Sequence, residues 1–140
     1  MTPHHVHIFG TFERFLHPHH QKPLLSPQDQ QFLEQFYEIV EQHLGDTEFT
    51  TTVAAATLGM SRMHLHRKVR ALTGHSTHEH IQTMRLDKAR AMLSQPLPLV
   101  FIAHSFGFKS SSHFSKAFKK RFGVTPSVFR AKRSNLHSSF

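Results

Sequence analysis

The apolar positions of this chain recur at helical spacing in one block after another. Phe32, Phe36, Ile39, Val40 and Leu44 form the first stripe, opened by Ser26-Pro27 as N-cap and first helical residue and stopped by Gly45. A short helix over 53–58 follows, with Thr52 or Thr51 as its cap. Ser61 caps the next helix, 62–72, whose inner stripe is Leu65, Val69 and Leu72. A longer helix over 77–93 has Ile81, Met84 (or Arg85), Ala89, Met92 and Leu93 on its apolar side, and Pro96 and Pro98 break the chain after it. Ile102, Ala103 and Phe106 then share one face, Gly107 punctuates, and Phe114, Phe118 and Phe122 recur at i, i+4, i+8. Ser115, Lys116, Lys119 and Lys120 fall off that stripe, and Thr125-Pro126 marks a stop.

The blocks repeat. Ala54 to Gly59 (AAATLG) aligns with Ile102 to Gly107 (IAHSFG), and each glycine leads through an apolar residue into a basic helix ending at Thr73-Gly74 or Phe122-Gly123. The turn glycines Gly59 and Gly107 stand 48 residues apart. A short helix, a tight turn and a second helix with a cationic outer face make a helix-turn-helix. The pattern predicts an all-α fold, with two such units at 52–73 and 99–122, a linker helix at 77–93 and an extra N-terminal helix. A linker of roughly 17 residues spans ~25 Å, enough to set two helices into successive major grooves ~34 Å apart. Residues 1–25, with three prolines and six histidines, read as a linker or remnant. The domain runs over 26–131, and the polar tail over 132–140 is expected to fray.

Composition narrows the function. A hydrophobic fraction of 38% supports a core in one modest domain. The absence of Cys excludes a disulfide framework, thiol catalysis and Cys-based zinc sites. No apolar run is long enough to span a bilayer, and the first residues lack a signal-peptide pattern, so the expected location is cytoplasmic with no membrane contact. Net charge is +8, distributed unevenly: of the 17 Lys and Arg, all but Arg14 and Lys22 lie between Arg62 and Arg133, where Glu79 and Asp87 are the acids. The stretch from Gln28 to Glu48 has six acids and no Lys or Arg. A basic region of that length implies a polyanion, nucleic acid first and an anionic membrane surface second.

The residues that carry the repeat also carry a family resemblance. Gly59-Met60-Ser61, Leu65, Arg67, Leu72-Thr73-Gly74, Ile81, Arg85-Leu86, Ala89, Leu93, Ile102-Ala103, Gly107-Phe108, Phe114-Ser115, Phe118-Lys119, Gly123, Thr125-Pro126 and Arg130 occur in order and at spacing. Over about 48–131 the chain resembles the DNA-binding domain of the AraC/XylS transcription regulators, two homeodomain-like helix-turn-helix subdomains joined by a helix. Its upstream helix, with RKVRALTGHS (67–76) and RLDKARAML (85–93), further resembles the output module of hybrid two-component regulators. That implies a C-terminal piece of a longer signalling chain, with a sensor or receiver region upstream. Three features depart from the family pattern: Ala54 in place of Leu, His80 in place of an aromatic, and a Pro96-Leu97-Pro98 connection one residue short with Phe101 at a polar position.

The resemblance implies that the second helix of each unit enters a major groove. Carried over position by position, Met63, His66 and Arg67 would meet base edges in the first unit, and Ser111, Ser112, His113, Ser115 and Lys116 in the second. Arg67 suits guanine O6 and N7, a bidentate pair giving ~1–3 kcal/mol of discrimination; a phosphate contact or an ion pair is its other reading. Ser61, Arg62, Lys68, Lys109, Ser110, Lys119, Lys120, Arg121 and Arg130 would touch phosphate. The serine-rich second helix is expected to supply affinity and the first to supply discrimination.

Double-stranded DNA is thus the expected partner, with RNA polymerase and a second copy of the chain as further candidates. The competing reading is a dimerisation or interaction module with only nonspecific nucleic-acid affinity, docking through Phe32, Phe36, Val40 and the acidic face of the first helix. No enzyme is expected, and no cofactor or metal. His4, His5, His7, His17, His19 and His20 lack the carboxylate or thiolate frame of a metal site. The Phe stripe reads as core rather than a base-stacking platform.

Overall fold

The computed structural model describes residues 25–138. Its elements are α1 (Pro27–Gln42), α2 (Thr51–Thr57), α3 (Arg62–Thr73), α4 (Thr77–Met92), α5 (Leu99–Ser105), α6 (Ser111–Phe122) and α7 (Pro126–Ser138). The described residues are all-α, as the periodicity requires. They form two compact units. Of the described residues, the first takes in 25–43 and 50–81; the second takes in 44–49 and 82–138.

In the first unit Ser26 accepts from the Asp29 amide at 3.1 Å and Pro27 follows, so α1 starts where the sequence places it. α1 buries Phe32, Leu33, Phe36, Tyr37 and Val40. Ala54 and Ala55 from α2, Leu65 and Val69 from α3, and Thr77, His80 and Ile81 from α4 complete this core. Two details differ from expectation. Tyr37 and Leu33 are core residues that the single-stripe reading of α1 leaves out. The cap of α2 is Thr50, whose extended backbone lets its hydroxyl accept from the Val53 amide at 3.3 Å; Thr51 and Thr52 are already helical. Ala54 is fully buried, so the small side chain suits a close helix contact rather than leaving an opening.

The second unit packs Leu86, Ala89, Leu93, Ile102, Ala103, Phe108, Phe114, Ala117 and Phe118, with Phe106, Phe122 and Phe129 against them. The rings form a chain: Phe108 to Phe114 at 5.2 Å, Phe114 to Phe118 at 5.7 Å and Phe118 to Phe122 at 4.6 Å between centroids. The Phe stripe is therefore core.

The C-terminus corrects the expectation of a stop at Thr125-Pro126 and a frayed tail. Thr125 caps a seventh helix, its hydroxyl accepting from the Val128 amide at 3.3 Å, with Pro126 as the first helical residue. A Thr-Pro pair is the same start signal as Ser26-Pro27. Phe129 returns this helix to the core, 5.7 Å from Phe118. The boundary expected at 131 falls inside α7. The histidine clusters of the N-terminus lie outside the described residues.

Candidate nucleic-acid interface

Two helices of equal length, one in each unit, carry the candidate contacts. α3 and α6 each run twelve residues. Each starts at an extended serine whose hydroxyl accepts from the amide three residues on, Ser61 from His64 at 3.0 Å and Ser110 from His113 at 3.1 Å. Each ends at a left-handed glycine whose amide bonds back to the helix, Gly74 to Arg70 and Gly123 to Lys119, both at 2.8 Å. Neither has an acid in its first turn, so the positive end of each helix dipole is left uncompensated. Ser61 and Ser110 therefore act first as caps, whatever their hydroxyl protons reach.

Set cap on cap, the two helices correspond residue by residue. Leu65 and Val69 match Phe114 and Phe118, all buried. Met63 and Arg67 match Ser112 and Lys116, all exposed. His66 and Ser115 correspond and are both half-buried, as is Ser111. Met63 is 59% exposed, an apolar side chain on an otherwise polar face. His113 is exposed and lies edge-on to Phe108 at 5.6 Å. Arg62, Lys109, Lys119 and Lys120 point to solvent. The exposed row of α3 also takes in His64 and Arg70, which the sequence reading leaves aside. Arg70 stands three residues beyond Arg67, and that spacing was the available signal.

Three of the expected phosphate contacts have partners of their own. Lys68 is half-buried with its Nζ 4.3 Å over the Phe32 ring, a cation–π contact that ties α3 to α1. Arg121 donates to Asp87 with Nη2 at 3.0 Å and Nε at 3.2 Å from Oδ1. The half-buried Arg130 donates from Nε to the Leu93 carbonyl at 3.2 Å. These geometries favour packing roles for the three. The fork of a guanidinium gives Arg121 and Arg130 the reach for such contacts.

One buried polar group bears on the shape of the first unit. The Thr73 hydroxyl donates to the Val69 carbonyl at 2.8 Å, so it accepts from His80 Nε2, also at 2.8 Å. That assigns the ring proton to Nε2 and leaves Nδ1 to accept from the Tyr37 hydroxyl at 3.4 Å. His80 thus links α1 to the end of α3. Burial, with His75 adding a smaller repulsion, drops its pKa to about 3. Burial raises the Tyr37 hydroxyl above the usual phenol range.

The apolar side chains of the competing docking reading are occupied. Phe32, Phe36 and Val40 are all buried within the first unit. Among the described residues no group of three or more His, Asp or Glu could hold a metal ion. No described helix is long and apolar enough to cross a membrane.

A family model described as a helix-turn-helix domain matches residues 54–132. The chain belongs to the AraC-type helix-turn-helix family. Histidine kinase P4 of Formosa agariphila is 34% identical over 111 residues, 79% of this chain but 8% of that protein. The C-terminal domain of the two-component response regulator yesN from Fusobacterium nucleatum superposes with a TM-score of 0.69 at 27% identity, covering 71% of this chain and 98% of that one. The DNA-binding domain of AdpA, a global transcriptional factor solved with a target DNA, superposes at 0.66 with 26% identity, covering 70% of this chain and 88% of that one. The chain spans a minor part of the curated relatives it matches, 34% of the Rob regulator of Salmonella typhimurium for example. The family is one of DNA-binding domains of transcription regulators.

Proposed function

We propose that this chain is the sequence-specific DNA-binding module of a transcription regulator and that α3 and α6 each enter a major groove. The matched pair of helices carries the reading. Two twelve-residue helices with the same caps each bury one stripe and turn a cationic face to solvent. The likeness to AdpA, whose structure holds a target DNA, supports the same partner here. Met63, His66 and Arg67 are the proposed base contacts of α3. Ser111, Ser112, His113, Ser115 and Lys116 are those of α6, with Lys116 foremost. Ser61, Arg62, Lys109, Ser110, Lys119 and Lys120 face phosphate. The histidine kinase and the response regulator among the relatives support an output role in two-component signalling, with a sensor or receiver region upstream. RNA polymerase is the expected downstream partner.

Selection from a random duplex library tests the reading. It should return a bipartite motif with half-sites about one helical turn apart. With about six phosphates neutralised, the log–log salt slope of binding should lie near −5. A slope near zero, or no enriched sequence, overturns the proposal. Light scattering of the free chain at several concentrations checks self-association.

A further inference from the structure

The connector between α1 and α2 belongs to the second unit, although both helices it joins belong to the first. Its ends, Leu44 and Phe49, are buried. A Cβ placed on Gly45 would lie 2.9 Å from the Ser105 carbonyl oxygen, at the end of α5. The turn from α5 into α6 is equally tight against it. Gly107 has φ +87°, and a Cβ there would meet the Leu44 carbonyl oxygen at 2.7 Å and Arg85 Nε at 2.6 Å. Arg85 then reaches the connector itself, donating from Nη2 to the carbonyls of Asp46 at 2.8 Å and Phe49 at 3.2 Å. The Phe49 amide closes the connector on Asp46 O at 3.2 Å. Burial lowers the Arg85 pKa and the Asp46 charge raises it.

We propose that Arg85 is a positioning residue for the second reading helix: its guanidinium fastens connector 44–49 against the Gly107 turn that leads into α6. The proposal rests on the DNA-reading function of α6. A flat guanidinium does two things at once here. One edge lies against a turn that has no side chain, while its end holds two carbonyls. A lysine offers a point donor with no flat face, so it serves this place poorly. From that turn Phe108 drops into the core against Phe114, and Ser110 caps α6. The cap and register of α6 are therefore set by a turn that Arg85 holds.

The test uses the selected bipartite duplex and two versions of it, each with one half-site scrambled. Lys116→Ala identifies the half read by α6. In Arg85→Gln the penalty for scrambling that half should shrink by about tenfold or more, as expected for a lost charged hydrogen-bond pair. The penalty at the other half should stay as in the unmodified chain. Gly107→Ala should give the same one-sided loss, and Arg85→Lys should restore only part of it. Equal loss at both halves overturns the proposal, as does a reduced salt slope with full rescue by lysine and a silent Gly107→Ala, the pattern of a phosphate contact. Amide exchange gives a readout free of DNA. In Arg85→Gln the Phe49 and Phe108 amides should exchange about tenfold faster, with Leu65 and Val69 unchanged. If the unmodified chain selects no sequence, the DNA reading fails, and unchanged exchange at Phe49 and Phe108 would still overturn the role of Arg85.

Discussion

The two helix-turn-helix units share a length plan and differ in what fills it. α2 and α5 are seven residues each, offset by 48 positions, while α3 and α6 are twelve each, offset by 49. The one-residue change falls in the second turn, where Phe108 and Lys109 stand against Met60 of the first. The extra residue lets Phe108 bury itself on Phe114. The second unit is thereby held by a run of aromatic rings. In the first, α3 supplies two aliphatic residues, and the Phe36 ring packs on Tyr37 and His80, which continue into the polar chain Tyr37–His80–Thr73. The outer faces diverge as well, with Met63 and Arg67 on one and Ser112 and Lys116 on the other. A common backbone plan thus carries an aromatic core under a face of serine and lysine and a partly polar core under a face of methionine and arginine.

The largest expected effects break the cores. Phe114 is fully buried in the ring chain. Phe114→Ala should cost ~3–5 kcal/mol, the range for truncating a core phenylalanine, and thermal or urea unfolding measures it. The first unit should instead be the acid-labile one. His80 is held neutral, with a pKa of about 3 against 6.5 in the unfolded chain. Above pH 6.5 both states are neutral there and the full stability is present. As pH falls through that value the unfolded chain takes up a proton and the folded one does not. Stability should then fall by up to ~1.4 kcal/mol per pH unit until the folded pKa is reached. Denaturant midpoints between pH 7 and 5 should show this slope, and His80→Phe should flatten it. An equal slope in that variant would place the acid lability elsewhere.

The next contrast is between the reading faces. Arg67→Ala should remove ~1–3 kcal/mol of discrimination at one base position and leave the fold intact. Lys116→Ala should relax selectivity only in the half-site read by α6, and by less than Arg67→Ala does in the other half. Competition binding against single-base variants of the selected site measures both. A sharper loss of selectivity from Lys116 than from Arg67 would reverse the assignment of reader and anchor.

Much of this contrast is legible in the sequence. Periodicity places six of the seven described helices, because Phe, Leu and Val at i, i+4 spacing leave one burial solution. Serine caps and closing glycines fix the ends of α3 and α6. The pattern conceals α7, because Thr125-Pro126 reads as a stop when it follows a glycine-closed helix, although the same pair starts one. His80 stands out of pattern, but its partners Tyr37 and Thr73 lie 43 and 7 residues away, and no local spacing shows them. The intramolecular partners of Lys68, Arg121 and Arg130 are hidden for the same reason, since a ring, a carboxylate and a carbonyl far along the chain supply them.

Arg121 gives the smallest and most discriminating test. Among the charges of α6 it is the one held by a carboxylate, with Asp87 Oδ1 at 3.0 Å and side-chain exposures of 32% and 17%. A pair so open to solvent contributes less than about 1 kcal/mol. Asp87→Asn should therefore barely move the unfolding midpoint. Its effect should be seen in binding, since a released guanidinium at the end of α6 is free to find a phosphate. The salt slope should steepen by about 1 in Asp87→Asn and stay unchanged in Arg121→Met. The opposite result, a shallower slope in Arg121→Met, would show that Arg121 leaves Asp87 for the backbone of DNA. The second unit would then anchor with one more cation than its free structure presents.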